Sequence, residues 1–159
     1  MNGRAKQLVE RFRAFNSKMT SLVQACTGED WLKVCAGEGW TVGVAARHVA
    51  AGHYGALELA KMIIAGKQLP EFTAEAVNQM NVQHAGKHAN CTQREVLGLL
   101  EKNGAAIVSF VNGLDDAELG RSGHLALAGG EISVEQLIDT IIISSGSEHL
   151  ASMKAAIGA

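Results

Sequence analysis

At 159 residues, 47% of them hydrophobic, the chain has enough apolar material for one core but too little length for two ordinary domains, so a single domain over residues 1–159 is expected. Fourteen Lys and Arg against sixteen Asp and Glu leave a net charge of −2 with no block of one sign, which argues against nucleic acid or an anionic membrane surface as partner. No apolar run reaches membrane length, and Arg4, Lys6, Glu10, Arg11 and Arg13 occupy the place of a signal-peptide core. Cys26, Cys35 and Cys91 lack the close pairing of a zinc knuckle, and reduced thiols in a cytoplasmic protein are expected.

The pattern along the chain is helical. Leu8, Phe12, Phe15, Met19 and Leu22 advance by alternating fours and threes, the rhythm of a bundle helix. After a loop through Gly28, Gly37 and Gly39, Thr41 caps a second long helix that ends near Gly66. About 25 residues, by the spacing of helix signals, then lead to Cys91. They contain the only proline, Pro70, and a short helix is expected from Thr73. A link that long can traverse a bundle lengthwise, so helices two and three can run parallel.

Thr92 with Glu95, and Ser133 with Gln136, each match the reciprocal capping pattern ahead of an apolar run. The third helix carries Val96, Leu100, Ile107, Val111 and Leu114; the fourth carries Val134, Ile138, Ile141, Ile142 and Met153. Between them, Leu125, Leu127 and Ile132 suit a short hairpin. The expectation is an all-α four-helix bundle with a long crossover between helices two and three.

Two histidines carry the functional question. At about 100° per residue, His48 and His53 flank the apolar arc of helix two on opposite sides and diverge by roughly 140°, so they cannot share one ion without distortion. On helix four, Ser145 and His149 are four apart and lie one above the other, in line with Ile138 and Ile141. A histidine facing a helical core needs a partner for each ring nitrogen; an ordinary hydrogen bond, a metal ion or a ligand can supply it. His84 and His88 form a separate pair four apart, but Gly86 and polar neighbours favour a solvated linker there.

Trp40, Thr41, Val42 and His48, followed by a histidine on the last helix, resemble the DinB and YfiT-like superfamily of metal-dependent hydrolases and thiol-dependent transferases. The resemblance extends over most of the chain, including the Asn81 region, Leu114 to Leu119 and the final helix. It implies a bundle, often homodimeric, holding a divalent metal such as zinc, nickel or manganese through three residues. One of these maps to His48 and another to His149. The position one turn before His149, where the resemblance implies a histidine or glutamate, is Ser145, whose neutral hydroxyl is a poor zinc or nickel ligand.

Substitute ligands are not obvious. Glu148 is rotated about 100° from His149, His53 is on the wrong side of helix two if His48 points inward, and His84 would have to fold over the bundle mouth. Glu148 is also the candidate base. No nucleophile elbow, phosphate loop or dinucleotide fingerprint is present. The many Ala and Gly of helix two allow either close packing or room for a small apolar molecule or thiol. Two readings follow: a metal-dependent hydrolase or low-molecular-weight-thiol transferase with a weakened site, or a metal-free small-molecule-binding or structural homodimer.

Overall fold

The computed structural model describes residues 3–158. Four long helical segments form a bundle: α1 (Gly3–Ala25), α3 (Val42–Ile64), α5 (Gln93–Asn112), and a final segment of α7 (Val134–Leu137), a π-helical stretch (Ile138–Ser144) and α8 (Ser145–Ile157). Shorter pieces connect them: α2 (Gly28–Leu32), α4 (Ala74–Lys87), α6 (Asp116–Leu119) and a hairpin of β1 (Ser122–Leu125) with β2 (Gly130–Ser133). Each long helix buries the stripe its sequence period marks, and the stripes meet in one core that includes Leu8, Phe12, Met19, Leu100, Ile107, Leu137 and Met153.

Local chemistry sets the helix starts. Thr41 accepts from the Val44 N–H, and Ser133 forms a full capping box with Gln136. Thr92 accepts from the Glu95 N–H, but the Glu95 carboxylate turns away from the reciprocal bond and pairs with Arg47 on α3 at 3.4 Å. A tertiary partner has taken over a side chain that the local pattern assigned to the cap.

Cross-helix bonds give the direction of each helix. Gln93 at the start of α5 donates to the Val23 and Cys26 carbonyls at the end of α1, while Asn16 earlier in α1 donates to the Leu100 carbonyl, so α1 and α5 are antiparallel. Arg47 meets Glu95, and Asn103 donates to the Ala50 carbonyl, so α3 and α5 run the same way. Arg4 with Glu135 and Arg11 with Asp139 align α1 with the final segment. The order is up, down, down, up, and the connection containing α4 makes the parallel step possible.

Several elements differ from the sequence expectation. The link after α1 contains α2 and an isolated bridge between Val34 and Thr41. The expected hairpin forms, with Leu125 and Ile132 buried and Leu127 exposed. The last helix is interrupted by the π stretch, whose wider turn rotates the register. Ile142 is buried as expected, while Ile141, also expected in the core stripe, is 37% exposed.

Candidate functional site

The site forms where the loop before α3 folds back against α8. Within residues 33–41, the Cys35 N–H donates to the Trp40 carbonyl, the Gly39 N–H to the Cys35 carbonyl and the Val42 N–H to the Lys33 carbonyl, each at 2.8 Å. Gly39 takes φ of +73°, a conformation costly for a residue with a Cβ, and this closes the turn. Ser152 on α8 sits against this loop, its Oγ 3.9 Å from where a Cβ on Gly37 would stand. The loop thus lies against α8, with Glu38 and Trp40 beside His149.

Around Trp40 the imidazoles gather. The His48 and His149 ring centroids are 5.1 Å apart and nearly perpendicular, at 79°. Trp40 lies 5.1 Å from the His48 ring and stacks on His149 at 6.3 Å and 23°. His84, on α4, stands 5.8 Å from His48, and His88 at the α4 C-cap is 4.9 Å from His84. The chain thus brings together residues from four separate segments.

Burial and mutual repulsion keep His48 neutral at physiological pH. Desolvation, with His149 and His84 adding to it, pushes its pKa down to about 4. His84 is also pushed down to about 4, by burial first and then by His88 and Arg47. A neutral imidazole offers a lone pair, so His48 has the protonation state that metal binding or proton acceptance requires.

Arg47 decides what His84 can do. Its guanidinium Nη1 lies 3.0 Å from His84 Nε2, and a guanidinium has only donors, so Nε2 accepts and the ring proton of neutral His84 sits on Nδ1. That Nδ1 is buried without a hydrogen-bond partner. Neither nitrogen of His84 then has a lone pair free for an ion. Thr73 caps the expected short helix, which brings His84 beside His48 with Nδ1 buried, so the reading of residues 84–88 as a solvated linker is corrected at His84. The use of His84 as a substitute ligand is opposed by the same Arg47 contact.

His53 has a different set of partners. It is 1% exposed, its Nε2 is 2.8 Å from Asn16 Oδ1, and the rings of Phe12 and Phe15 meet it edge-on. Burial pushes it down to about 4. The hydrogen bond to α1 makes it a core histidine, and its Nε2 is not available as a substitute ligand.

Ser145 and His149 share the wall of a small cavity of about 160 Å³ with His48, Val49, Gly52, His53, Ile141, Ile142 and Gly146. They are half-buried and not deep in the stripe, just after the π stretch that ends at Ser144. Glu148 is exposed on the outer face of α8, as its angular offset implied. Gly146 lets Phe15 of α1 pack directly against the α8 backbone, which fixes the height of Ser145 and His149 in the bundle.

Glu38 was not among the residues singled out from the sequence. Its Oε2 is 3.5 Å from His149 Nδ1, the side chain is only 15% exposed, and Oε2 is buried with no hydrogen-bond partner. The available sequence signal was a carboxylate in the loop ahead of the Trp40 motif, but the turn that aims it depends on the cross-loop bonds.

Two imidazoles sharing one ion at metal–nitrogen distances of about 2.1 Å stand with centroids roughly 5 Å apart, so the His48–His149 spacing fits two ligands of one site. A third is not supplied: among the described residues no group of three His, Cys, Asp or Glu side chains is arranged to hold a metal ion. Ser145 has only a neutral oxygen to offer.

An all-α bundle in up, down, down, up order with a histidine-bearing cavity between α3 and α8 defines the class of protein. The chain belongs to the DinB superfamily, which residues 11–143 match. In fold it is similar to YfiT from Bacillus subtilis, described as a probable metal-dependent hydrolase with an unusual four-helix bundle topology. That likeness has a TM-score of 0.77 and 14% identity, covering 99% of this chain and 90% of that one. It is similar also to the colibactin self-resistance protein ClbS, solved in complex with a dsDNA, with TM-score 0.76, 11% identity, 96% of this chain and 94% of that one. A mycothiol-dependent maleylpyruvate isomerase aligns with TM-score 0.70 and 15% identity over 100% of this chain and 64% of that one. These likenesses establish the shared fold. No curated protein matches the chain by sequence. Among the described residues no helix is long and apolar enough to cross a membrane.

Proposed function

We propose that the protein is a DinB-like hydrolase or low-molecular-weight-thiol transferase whose metal site is reduced to two protein ligands, His48 and His149. The observation that carries this reading is the 5.1 Å separation of the two rings on one small cavity. A divalent ion such as zinc, nickel or manganese, when bound there, would lower the pKa of a water or activate a thiolate.

The chain's own residues define what else the site does. His48 is held neutral by burial, so its lone pair is available at physiological pH. Trp40 packs against both rings and limits their rotation. Val49, Ile141 and Ile142 give the cavity an aliphatic wall, suited to a small apolar substrate or the carbon chain of a thiol. Ser145 supplies a hydroxyl that can hydrogen-bond such a ligand. The YfiT likeness supports the hydrolase branch, and the maleylpyruvate isomerase likeness supports the thiol branch. A cytoplasmic homodimer organised as one domain accords with this reading.

The alternative is a metal-free small-molecule-binding or structural bundle, favoured by Ser145 in place of an ionising ligand and by the lack of a free lone pair on His84. Calorimetric titration of untagged protein with zinc, nickel and manganese, with His48→Ala and His149→Ala alongside, separates the two. The metal reading expects weak stoichiometric binding that either substitution abolishes. Equal, negligible heats from wild type and both variants would leave the metal-free reading standing.

A further inference from the structure

We propose that Glu38 is a positioning residue for His149: its carboxylate accepts a hydrogen bond from Nδ1–H and so leaves the Nε2 lone pair facing His48 and the cavity. The inference rests on the reading of His149 as a working residue of that cavity. An imidazole in its neutral state carries its proton on one nitrogen or the other, and the partner of the first decides what the second can do. Metal-binding and catalytic histidines are commonly fixed in this way by a carboxylate on the far nitrogen.

Three independent features place Glu38 for this role. Its Oε2 lies 3.5 Å from His149 Nδ1, a separation that a small rotation of either side chain would close to a hydrogen bond. The same Oε2 is buried without any hydrogen-bond partner, and a carboxylate oxygen in that state is costly unless a donor faces it. The loop that carries Glu38 is closed by its own backbone bonds and meets α8 at Ser152, one turn beyond His149, whose Oγ is 3.9 Å from where a Cβ on Gly37 would stand, so loop and imidazole keep a close relation. On its other side His149 is stacked by Trp40, which leaves the ring one axis along which its nitrogens can point.

A purely structural role, in which Glu38 only ties the loop to α8, would leave the tautomer of His149 unaffected. Long-range nitrogen–proton NMR correlations, recorded above neutral pH on wild type, Glu38→Gln and Glu38→Met, read that tautomer directly. Wild type is expected with the proton on Nδ1, and Glu38→Met with the proton moved largely to Nε2. Glu38→Gln, whose amide can present oxygen or nitrogen to the ring, is expected to be mixed. Unfolding midpoints of the variants show that the loop still folds, and a cobalt titration is expected to weaken by about 10–100-fold in Glu38→Met. A wild-type His149 protonated on Nε2, or one whose tautomer is the same in Glu38→Met, would overturn the proposal. A tautomer shift with no cobalt binding even in wild type would uphold Glu38 and defeat the metal reading. Cobalt bound equally by wild type and Glu38→Met with the same tautomer would do the reverse.

Discussion

Five positions along α3 separate two imidazoles that border one cavity but differ in their partners. His48 faces His149 and Trp40, while His53 is enclosed by Phe12 and Phe15 and bonded to Asn16. An unfolded histidine takes its proton near 6.5, and folded His53 does so only near 4. Between those values the unfolded chain binds more protons, so the stability contributed by neutral, buried His53 is complete above about pH 6.5 and is lost as pH falls toward about 4. The loss is at most about 3 kcal/mol for this one group. Chemical denaturation across that range should show stability falling with acid in wild type. In His53→Gln, which keeps a polar partner for Asn16 without a titrating ring, the slope should be shallower but not flat, because His48 is depressed in the same sense. An unchanged slope would mean that His53 is not buried as described.

Also at this scale, Ser145 is the residue that, on the proposed metal reading, leaves the site one ligand short. Ser145→His would place a third imidazole one turn before His149 on the cavity wall. Zinc affinity by competition with a chromophoric chelator should rise by at least about tenfold, or 1.4 kcal/mol. No gain would show that the last helix does not present position 145 to the His48–His149 pair.

The final helical segment depends on a π stretch and on one glycine. Ile138–Ser144 widens the turn just before Ser145, and Gly146 lets the Phe15 ring seat against the backbone one residue later. A methyl at position 146 would occupy space already filled by Phe15, and overpacking of this kind costs about 1–3 kcal/mol. Gly146→Ala should therefore lower the unfolding midpoint and also weaken any ligand binding at His149. A variant as stable as wild type would show that α1 yields easily at Phe15. Sequence periodicity missed one position here. A uniform rotation per residue puts Ile142 about 40° and Ile141 about 60° from Ile138; Ile142 is buried, whereas Ile141 on the farther shoulder is 37% exposed. The helix starts were legible because Thr41, Thr92 and Ser133 act through bonds only three residues long. α4 was partly legible: Thr73 marks its start, but its side chains contribute nothing to the buried core, so no apolar stripe announces its path. Its placement over His48 depends on His84 meeting Arg47, a contact between distant segments.

Across the whole molecule, the long connection through α4 is what allows α3 and α5 to run together, and this topology is shared with the DinB superfamily. The same arrangement brings His149, about a hundred positions along the chain, beside His48. That pairing was legible from the Trp40 to His48 motif together with the histidine on the last helix. The placement of Glu38 was not, since it depends on a turn closed by Gly39 and on backbone bonds across the loop. The central claim is that two imidazoles, and no third protein ligand of comparable strength, face one ion. X-ray absorption at the zinc edge on protein loaded with one equivalent tests it most directly. The account predicts a first shell of two imidazole nitrogens completed by oxygen, with imidazole scattering lost in His48→Ala. An oxygen-only shell, or an imidazole signature unchanged by removal of His48, would contradict it.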